Sequence, residues 1–284
     1  MRATRNALAA FVVIALAAVA ALVSCQTGGR EGSSIVDKNA LAIGVKSDQP
    51  GLGLETKNGT FEGFDVDVAT YVAAGLGIQK EDITFRATPS NERERALREG
   101  AVDMVVATYT ITPERKEQVT FAGPYYVAHQ DILVRERDNS TKDVRDLSGK
   151  KLCQAAGSNS WRRVTEEREV VAVLVPAGSY SECVTDLEEN RIDAVSTDDL
   201  ILAGFAAAKA PKAASAKVKL VNAPFTDERY GVGLARGDRK GCEAVNRILT
   251  KMYQDGTAET LLTEWFKPVG LDVTTTVPQF EGCA

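Results

Sequence analysis

Histidine is almost absent from this sequence: His129 stands alone among 284 residues. No CxxC pair and no cysteine–histidine cluster occurs, which excludes the common zinc frameworks. A glycine-rich phosphate loop closing in Gly-Lys-Ser or Gly-Lys-Thr is missing too, so nothing suggests that the chain itself hydrolyses a nucleotide. Positive charge is outweighed, 34 Lys and Arg against 39 Asp and Glu, for a net charge of −5. Such a chain has no electrostatic reason to bind nucleic acid. The longest apolar run, over residues 8–23, falls short of the roughly 20 residues that favour a membrane-spanning helix. What is present is ample apolar material, 44% of the chain, enough for one large or two ordinary packed domains.

The first residues read as an address. Arg2 and Arg5 precede the apolar run, which ends in Leu22-Val23-Ser24-Cys25: a basic start, an apolar segment and a small-residue processing site. Cys25 is placed as in the lipobox of bacterial lipoproteins. That resemblance implies cleavage before Cys25, a lipid on its sulfur, and anchoring at the extracytoplasmic face of the cell membrane. The alternative is an ordinary cleaved leader with a coincidental cysteine. Residues 1–24 are thus expected to be the leader and 25–37 a lipidated tether, Gly/Ser/Thr-rich over 26–34 and flexible for that reason. Losing 1–24 removes two positive charges and no negative one, −5 − 2 = −7. With Cys25 taken by the lipid, four of the five cysteines remain to pair. The simplest pairing in an exported chain is Cys153–Cys183 and Cys242–Cys283, each closing a loop within one region; free buried thiols are the alternative.

Strand and helix patterns alternate. Strands are expected over 41–45, 102–107, 151–154, 170–175, 192–196, 217–221 and 231–235. Helices are expected from Asp65, where Val68, Val72 and Leu76 share one face, and over 91–99, 181–189, 199–209, 242–253 and 257–266. The alternation predicts an α/β fold with mainly parallel sheets. One internal echo stands out. Residues 97–108 and 187–198 each run from a leucine, through a turn, to an aspartate (Asp103, Asp193), a hydrophobic strand and a polar exit at Thr108 or Asp198. The constant spacing suggests two similar lobes, each delivering a polar tip from the C-terminal end of a strand, where ligands sit in open α/β sheets.

Three segments carry groups able to hold a ligand. Residues 108–115 leave a buried strand through hydroxyls, Thr108 and Thr110 among them, and reach Arg115 at the start of a short helix opened by Pro113. Hydroxyls, free N–H groups and a guanidinium fork suit a carboxylate; a solvated helix-face arginine is the plain reading of Arg115. Residues 155–160 hold Gly157 for a tight turn, then Ser158, Asn159 and Ser160 at a helix start, fit to cap the helix or to face an anion. Asp198 ends the second lobe's strand, placed to receive an ammonium or to cap the next helix, with Asp199 competing for either role.

These segments resemble the extracellular solute-binding proteins of the polar amino-acid class, the receptor components of ABC importers. Gly63-Phe64-Asp65-Val66-Asp67, Val102-Asp103, Ile111-Thr112-Pro113-Glu114-Arg115, Phe121-Ala122-Gly123-Pro124-Tyr125 and the closing Gly256-Thr257 with Trp265 follow that pattern in order. Residues 46–51, 179–183 and 197–199 look most like the actinobacterial glutamate-binding lipoproteins. The resemblance implies a type II periplasmic-binding-protein-like fold: lobe one from 38–130 plus 227–284, lobe two from 131–226, joined by two crossovers near 130–134 and 226–230. It implies that Arg115 clamps an α-carboxylate with Thr110 and the Ser158–Asn159 turn. Asp198 would take the α-ammonium beside the Thr108 carbonyl. Ser90 and Arg93 would grip a side-chain carboxylate, with Lys46 adding charge. Arg98, Arg95 and Glu94 are expected on solvated helix faces. The family's first-loop acidic and aromatic residues are replaced here by Lys46 and Gln49, so the aromatic lid is unassigned, Tyr109 and Phe64 being the candidates. The implied partners are a small amino acid, most simply glutamate, and a permease with a separate ATPase; no cofactor is implied and a monomer is expected. Competing readings are a sensing lipoprotein that signals to a membrane kinase, and a dehydratase on the same fold, for which Glu92 is the nearest acid.

Overall fold

The computed structural model describes residues 34–209 and 217–283. The expected leader, the lipid site Cys25 and the tether as far as residue 33 lie outside the described residues. The rest of the expected tether is packed. Ile35 opens a short 3-10 turn, is 2% exposed, and its N–H donates to Asp238 Oδ2 at 2.9 Å. Residues 34–37 therefore pack with the folded body rather than serving as tether.

In chain order the strands are β1 (Leu41–Val45), β2 (Asp48–Gln49), β3 (Gly53–Glu55), β4 (Phe61–Glu62), β5 (Ile83–Ala87), β6 (Met104–Val105), β7 (Thr120–Arg135), β8 (Lys151–Ala155), β9 (Val173–Ala177), β10 (Val195–Asp198), β11 (Val218–Leu220) and β12 (Thr226–Leu234). The helices are α1 (Phe64–Gly75), α2 (Arg93–Arg98), α3 (Pro113–Lys116), α4 (Ser160–Arg162), α5 (Tyr180–Glu188), α6 (Asp199–Lys209), α7 (Arg239–Gln254) and α8 (Thr257–Phe266). The described residues form two α/β lobes on a seven-stranded sheet of order β10-β7-β12-β6-β1-β5, with β11 also on β7.

The sheet is mixed, against the expectation of mainly parallel pairing. β1 runs parallel to β5 and β6, and in a separate two-stranded sheet β8 runs parallel to β9. β7, however, pairs antiparallel with β12, β10 and β11, and β12 antiparallel with β6. The spine is β7, buried along most of its 16 residues. Its first part pairs with β12 as far as Gln130↔Thr226; from Gln130 onward it also takes β10, and from Leu133 it takes β11. No strand was expected over 120–129, where Gly123 and Pro124 interrupt the sequence of β7. The register irregularity between Tyr230 and Val232 falls opposite that pair, and a bulge is where a strand tolerates a residue lacking its N–H.

The internal echo is structural. Gly100 and Asn190, each three residues after the leucine, both turn with positive φ, 69° and 61°. Asp103 Oδ2 accepts from Ala42 N at 2.8 Å, and Asp193 Oδ2 accepts from Lys151 N at 2.9 Å. Each aspartate thus ties its turn to the start of the neighbouring strand, β1 or β8. Cys153–Cys183 joins β8 to α5, and Cys242–Cys283 joins α7 to the C-terminal segment, with Cα separations of 5.7 and 5.8 Å.

Candidate ligand-binding site

Strand ends bring the expected residues together. Lys46 follows β1, Ser90 and Arg93 follow β5, Thr108 to Arg115 follow β6, the Ser158–Asn159 turn follows β8, and Asp198 closes β10. One small cavity is lined by Ser90, Arg93, Thr108, Thr110, Arg115, Ser158, Asn159 and Asp198. Lys46 lies behind that wall, its Nζ donating to Ser90 Oγ at 2.5 Å.

The turn after β6 is held by a buried carboxylate. Thr108 has φ 44°, an uncommon conformation for a residue with a branched Cβ. Its N–H donates to Asp65 Oδ2 at 2.7 Å, and Asp65 Oδ1 accepts from Tyr125 O–H at 2.7 Å. Burial pushes the Asp65 carboxyl up to about 6, although both hydrogen bonds act the other way. Beyond it Thr112 caps α3 by accepting from Arg115 N at 3.3 Å. The Arg115 side chain folds back, donating from Nη1 to Thr110 O at 2.7 Å.

Arg93 is 2% exposed and, among the described residues, its guanidinium donates only to main-chain carbonyls: Ser90 at 3.2 Å, Ala107 at 3.0 Å, Thr108 at 3.2 Å and Gly157 at 3.4 Å. Burial, and then the neighbouring Arg115 charge, pulls its pKa down to about 10. The Tyr109 ring lies under both cations, 4.2 Å from Arg93 and 5.3 Å from Arg115, a contact with the negative face of the ring. Arg93 and Arg115 converge on one acceptor, Gly157 O, which Arg115 Nη2 reaches at 3.1 Å. Two guanidinium groups sharing one amide oxygen mark a point where a carboxylate would be the stronger acceptor. Gly157 is required there. Its φ is 72°, and a Cβ would stand 2.3 Å from Asn91 N.

The opposite wall is hydroxyl-rich and anionic. Ser158 Oγ bonds to Tyr180 O–H, which also reaches Ser160 Oγ at 2.8 Å, and Ser160 Oγ donates to Thr197 Oγ1 at 3.1 Å. Asn159 Nδ2 donates to Glu228 Oε2 at 3.3 Å. Asp198 accepts from Tyr230 O–H at 2.5 Å. Burial, then the Glu228 charge, pushes the Asp198 carboxyl well above the usual carboxylate range, although the Tyr230 hydrogen bond and the Arg115 charge act the other way.

Some placements differ from expectation. Arg95 and Arg98 are exposed, as expected, and Glu92 pairs with Arg95. Glu94 instead faces inward, accepting from Tyr109 O–H at 2.7 Å and lying 3.6 Å from Arg115 Nε. It steadies the cation pair from behind. Neither aromatic candidate forms a lid: Tyr109 lies beneath the cations, and Phe64 is fully buried against Tyr125, Tyr126 and Phe266. Ser160, expected as a cap or an anion-facing residue, also lines the cavity, and Tyr180, Thr197 and Ile201 complete it without having been singled out as ligand residues. Tyr180 opens α5 three residues before a disulfide cysteine, a position that periodicity alone does not flag.

The pattern known as bacterial extracellular solute-binding proteins, family 3, matches residues 41–268. The glutamate-binding protein GluB of Corynebacterium glutamicum is 38% identical over 243 residues, 84% of this chain and 82% of its own length. The glutamine-binding protein GlnH of an ABC transporter in Bacillus subtilis is 32% identical over 268 residues, 90% of this chain and 95% of its own. Among solved structures, an ancestral arginine-binding protein bound to glutamine superposes with a TM-score of 0.72 at 33% identity, covering 81% of this chain and 98% of its own.

Proposed function

The chain belongs to family 3 of the bacterial extracellular solute-binding proteins, and we propose that it captures an acidic amino acid, glutamate first, for an ABC importer without acting on it chemically. The observation that carries this reading is charge placement. Lys46, Arg93 and Arg115 are all at least nine-tenths buried on one wall, and Asp198 stands on the other. Glutamate brings two carboxylates and one ammonium to those groups. An amide ligand leaves one buried cation without its counter-charge, a loss of about 3 kcal/mol or more.

Arg115, Thr110 and the Ser158–Asn159 turn hold the α-carboxylate in this reading, and Asp198 holds the ammonium. Arg93 and Ser90, with Lys46 behind them, hold the side-chain carboxylate. Thr108 serves through its main chain, whose carbonyl already accepts from Arg93. Lobe one comprises 38–130 plus 227–284 and lobe two 131–226. The change of partners along β7 at Gln130 supports that boundary. Ligand bridging Arg115 and Asp198 favours the closed arrangement, and closure presents the protein to a permease driven by a separate ATPase. Cys25 carries the lipid that keeps the protein at the extracytoplasmic face of the membrane.

Titration calorimetry against glutamate, aspartate, glutamine and asparagine tests the reading, with Arg93→Ala checked for folding by circular dichroism. Glutamate is expected to bind about 100-fold more tightly than glutamine, and Arg93→Ala to remove that preference. A preference for an amide, or equal binding by the variant, overturns the assignment of glutamate.

A further inference from the structure

Lys46 is 4% exposed and deeply enclosed, yet its ammonium has one neutral hydrogen-bond partner, Ser90 Oγ. Among the described residues no carboxylate oxygen lies within 4.0 Å of it. Four charged groups face it from other elements: Arg93 on α2, Arg115 on α3, Asp48 on β2 and Asp65 on α1. The two acids are already engaged. Asp48 Oδ2 accepts from Ser181 O–H at 2.6 Å, and both Asp65 oxygens are taken by Tyr125 and Thr108. Their charges favour the ammonium but only partly offset burial and the Arg93 charge. Burial first, and the Arg93 charge second, therefore lower the Lys46 pKa well below its ordinary value, as for other desolvated lysines.

We propose that Lys46 discriminates an acidic from an amide side chain by taking up a proton from solvent as the ligand's side-chain carboxylate arrives. The amine becomes an ammonium, one N–H bond forms, and the buried carboxylate gains its counter-charge in the same step. An amide side chain carries no charge to drive that uptake. This deepens, and rests on, the reading of the cleft as an acidic amino-acid site. Glutamate and glutamine present the same head group to Arg115 and Asp198, so any proton exchanged there cancels in the difference between the two ligands. The sign follows from linkage: binding that takes up a proton strengthens as pH falls. The affinity ratio of glutamate to glutamine is therefore expected to fall as pH rises, by at most about tenfold per pH unit for one proton.

Calorimetry of the intact protein in phosphate and in Tris, buffers of different ionisation enthalpy, reads the proton count directly. Glutamate is expected to take up more protons than glutamine, by up to about one per site. Lys46→Met is expected to abolish that difference and the pH dependence of the ratio. Lys46→Arg, charged at every pH used, is expected to keep a preference for glutamate with no proton uptake. Equal proton counts for two ligands that both bind overturn the proposal alone, as does a difference that survives either variant. Failure of glutamate to bind overturns the acidic-ligand reading and this proposal with it.

Discussion

Replacing Gly204 by alanine is expected to separate closing the cleft from folding the protein. Gly204 is buried within α6, and its φ lies outside the left-handed region. An alanine there suits the helix, which it stabilises by up to about 1 kcal/mol. The obstacle lies across the proposed lobe boundary: a Cβ on Gly204 would stand 2.0 Å from Pro50 O. Ordinary contact begins at 3.4 Å, so the lobes must separate by 3.4 − 2.0 = 1.4 Å at this point. A retreat of that size carried to Ser181–Asp48, at 2.6 Å, and Arg115–Gly157, at 3.1 Å, takes both beyond hydrogen-bonding distance. Losing the grip of one charged group across the cleft costs about 1.5–3 kcal/mol, roughly 10–100-fold in affinity. Glutamate binding by calorimetry should weaken by that factor, while the ligand-free melting temperature holds or rises by a few degrees. Gly157→Ala should lose both, because it adds its own left-handed strain to the contact with Asn91. A Gly204→Ala protein that binds glutamate within about twofold of the parent refutes the reasoning. So does one whose ligand-free melting temperature collapses.

Tyr230→Phe removes the Tyr230 O–H that donates to Asp198 and should push that carboxyl further up. Glutamate affinity at neutral pH is expected to fall about tenfold or more, with the loss deepening as pH is lowered, which calorimetry across pH reads. Asp65 has a folded-state pKa of about 6 against an ordinary 3.8, so the folded protein holds a proton there that the unfolded chain releases between those values. Its ionised form costs roughly 3 kcal/mol above pH 6, regained as pH falls from 6 towards 4. Asp65→Asn should flatten that part of a stability–pH profile from denaturant melts. Replacing both Cys242 and Cys283 by alanine releases a closure of 41 residues, expected to lower unfolding stability by about 4 kcal/mol, read as a lower denaturant midpoint.

Local signals carried much of this architecture. β1, α6 and α8 match their expected bounds, because each has a clear apolar pattern between turn or capping residues. Arg115, Thr110 and Asp198 were recognisable because a strand exit has a short grammar of hydroxyls, Pro and a charge. Pairing direction was not legible: an apolar strand reads alike whether its neighbour runs parallel or antiparallel. The expected strand over 102–107 narrows to β6, although Asp103 N and Val106 N also bond to Ala42 O and Gly44 O. Glu94 looked solvated because helix charge patterns are silent about a tyrosine and an arginine arriving from another loop. Tyr180 escaped for the same reason, its role being set by Ser158 and Ser160 from a distant segment.

The twin turns at Gly100 and Asn190 have a consequence for how recognition can be altered. In each lobe the aspartate that fastens the turn lies five residues before the residue at the tip, Asp103 before Thr108 and Asp193 before Asp198. Foundation and fingertip are therefore different residues. One tip hands its main-chain carbonyl to Arg93, and the other offers a carboxylate, while the masonry beneath them is the same. A new cargo can be accommodated by recutting the fingertips while both hands keep their bones.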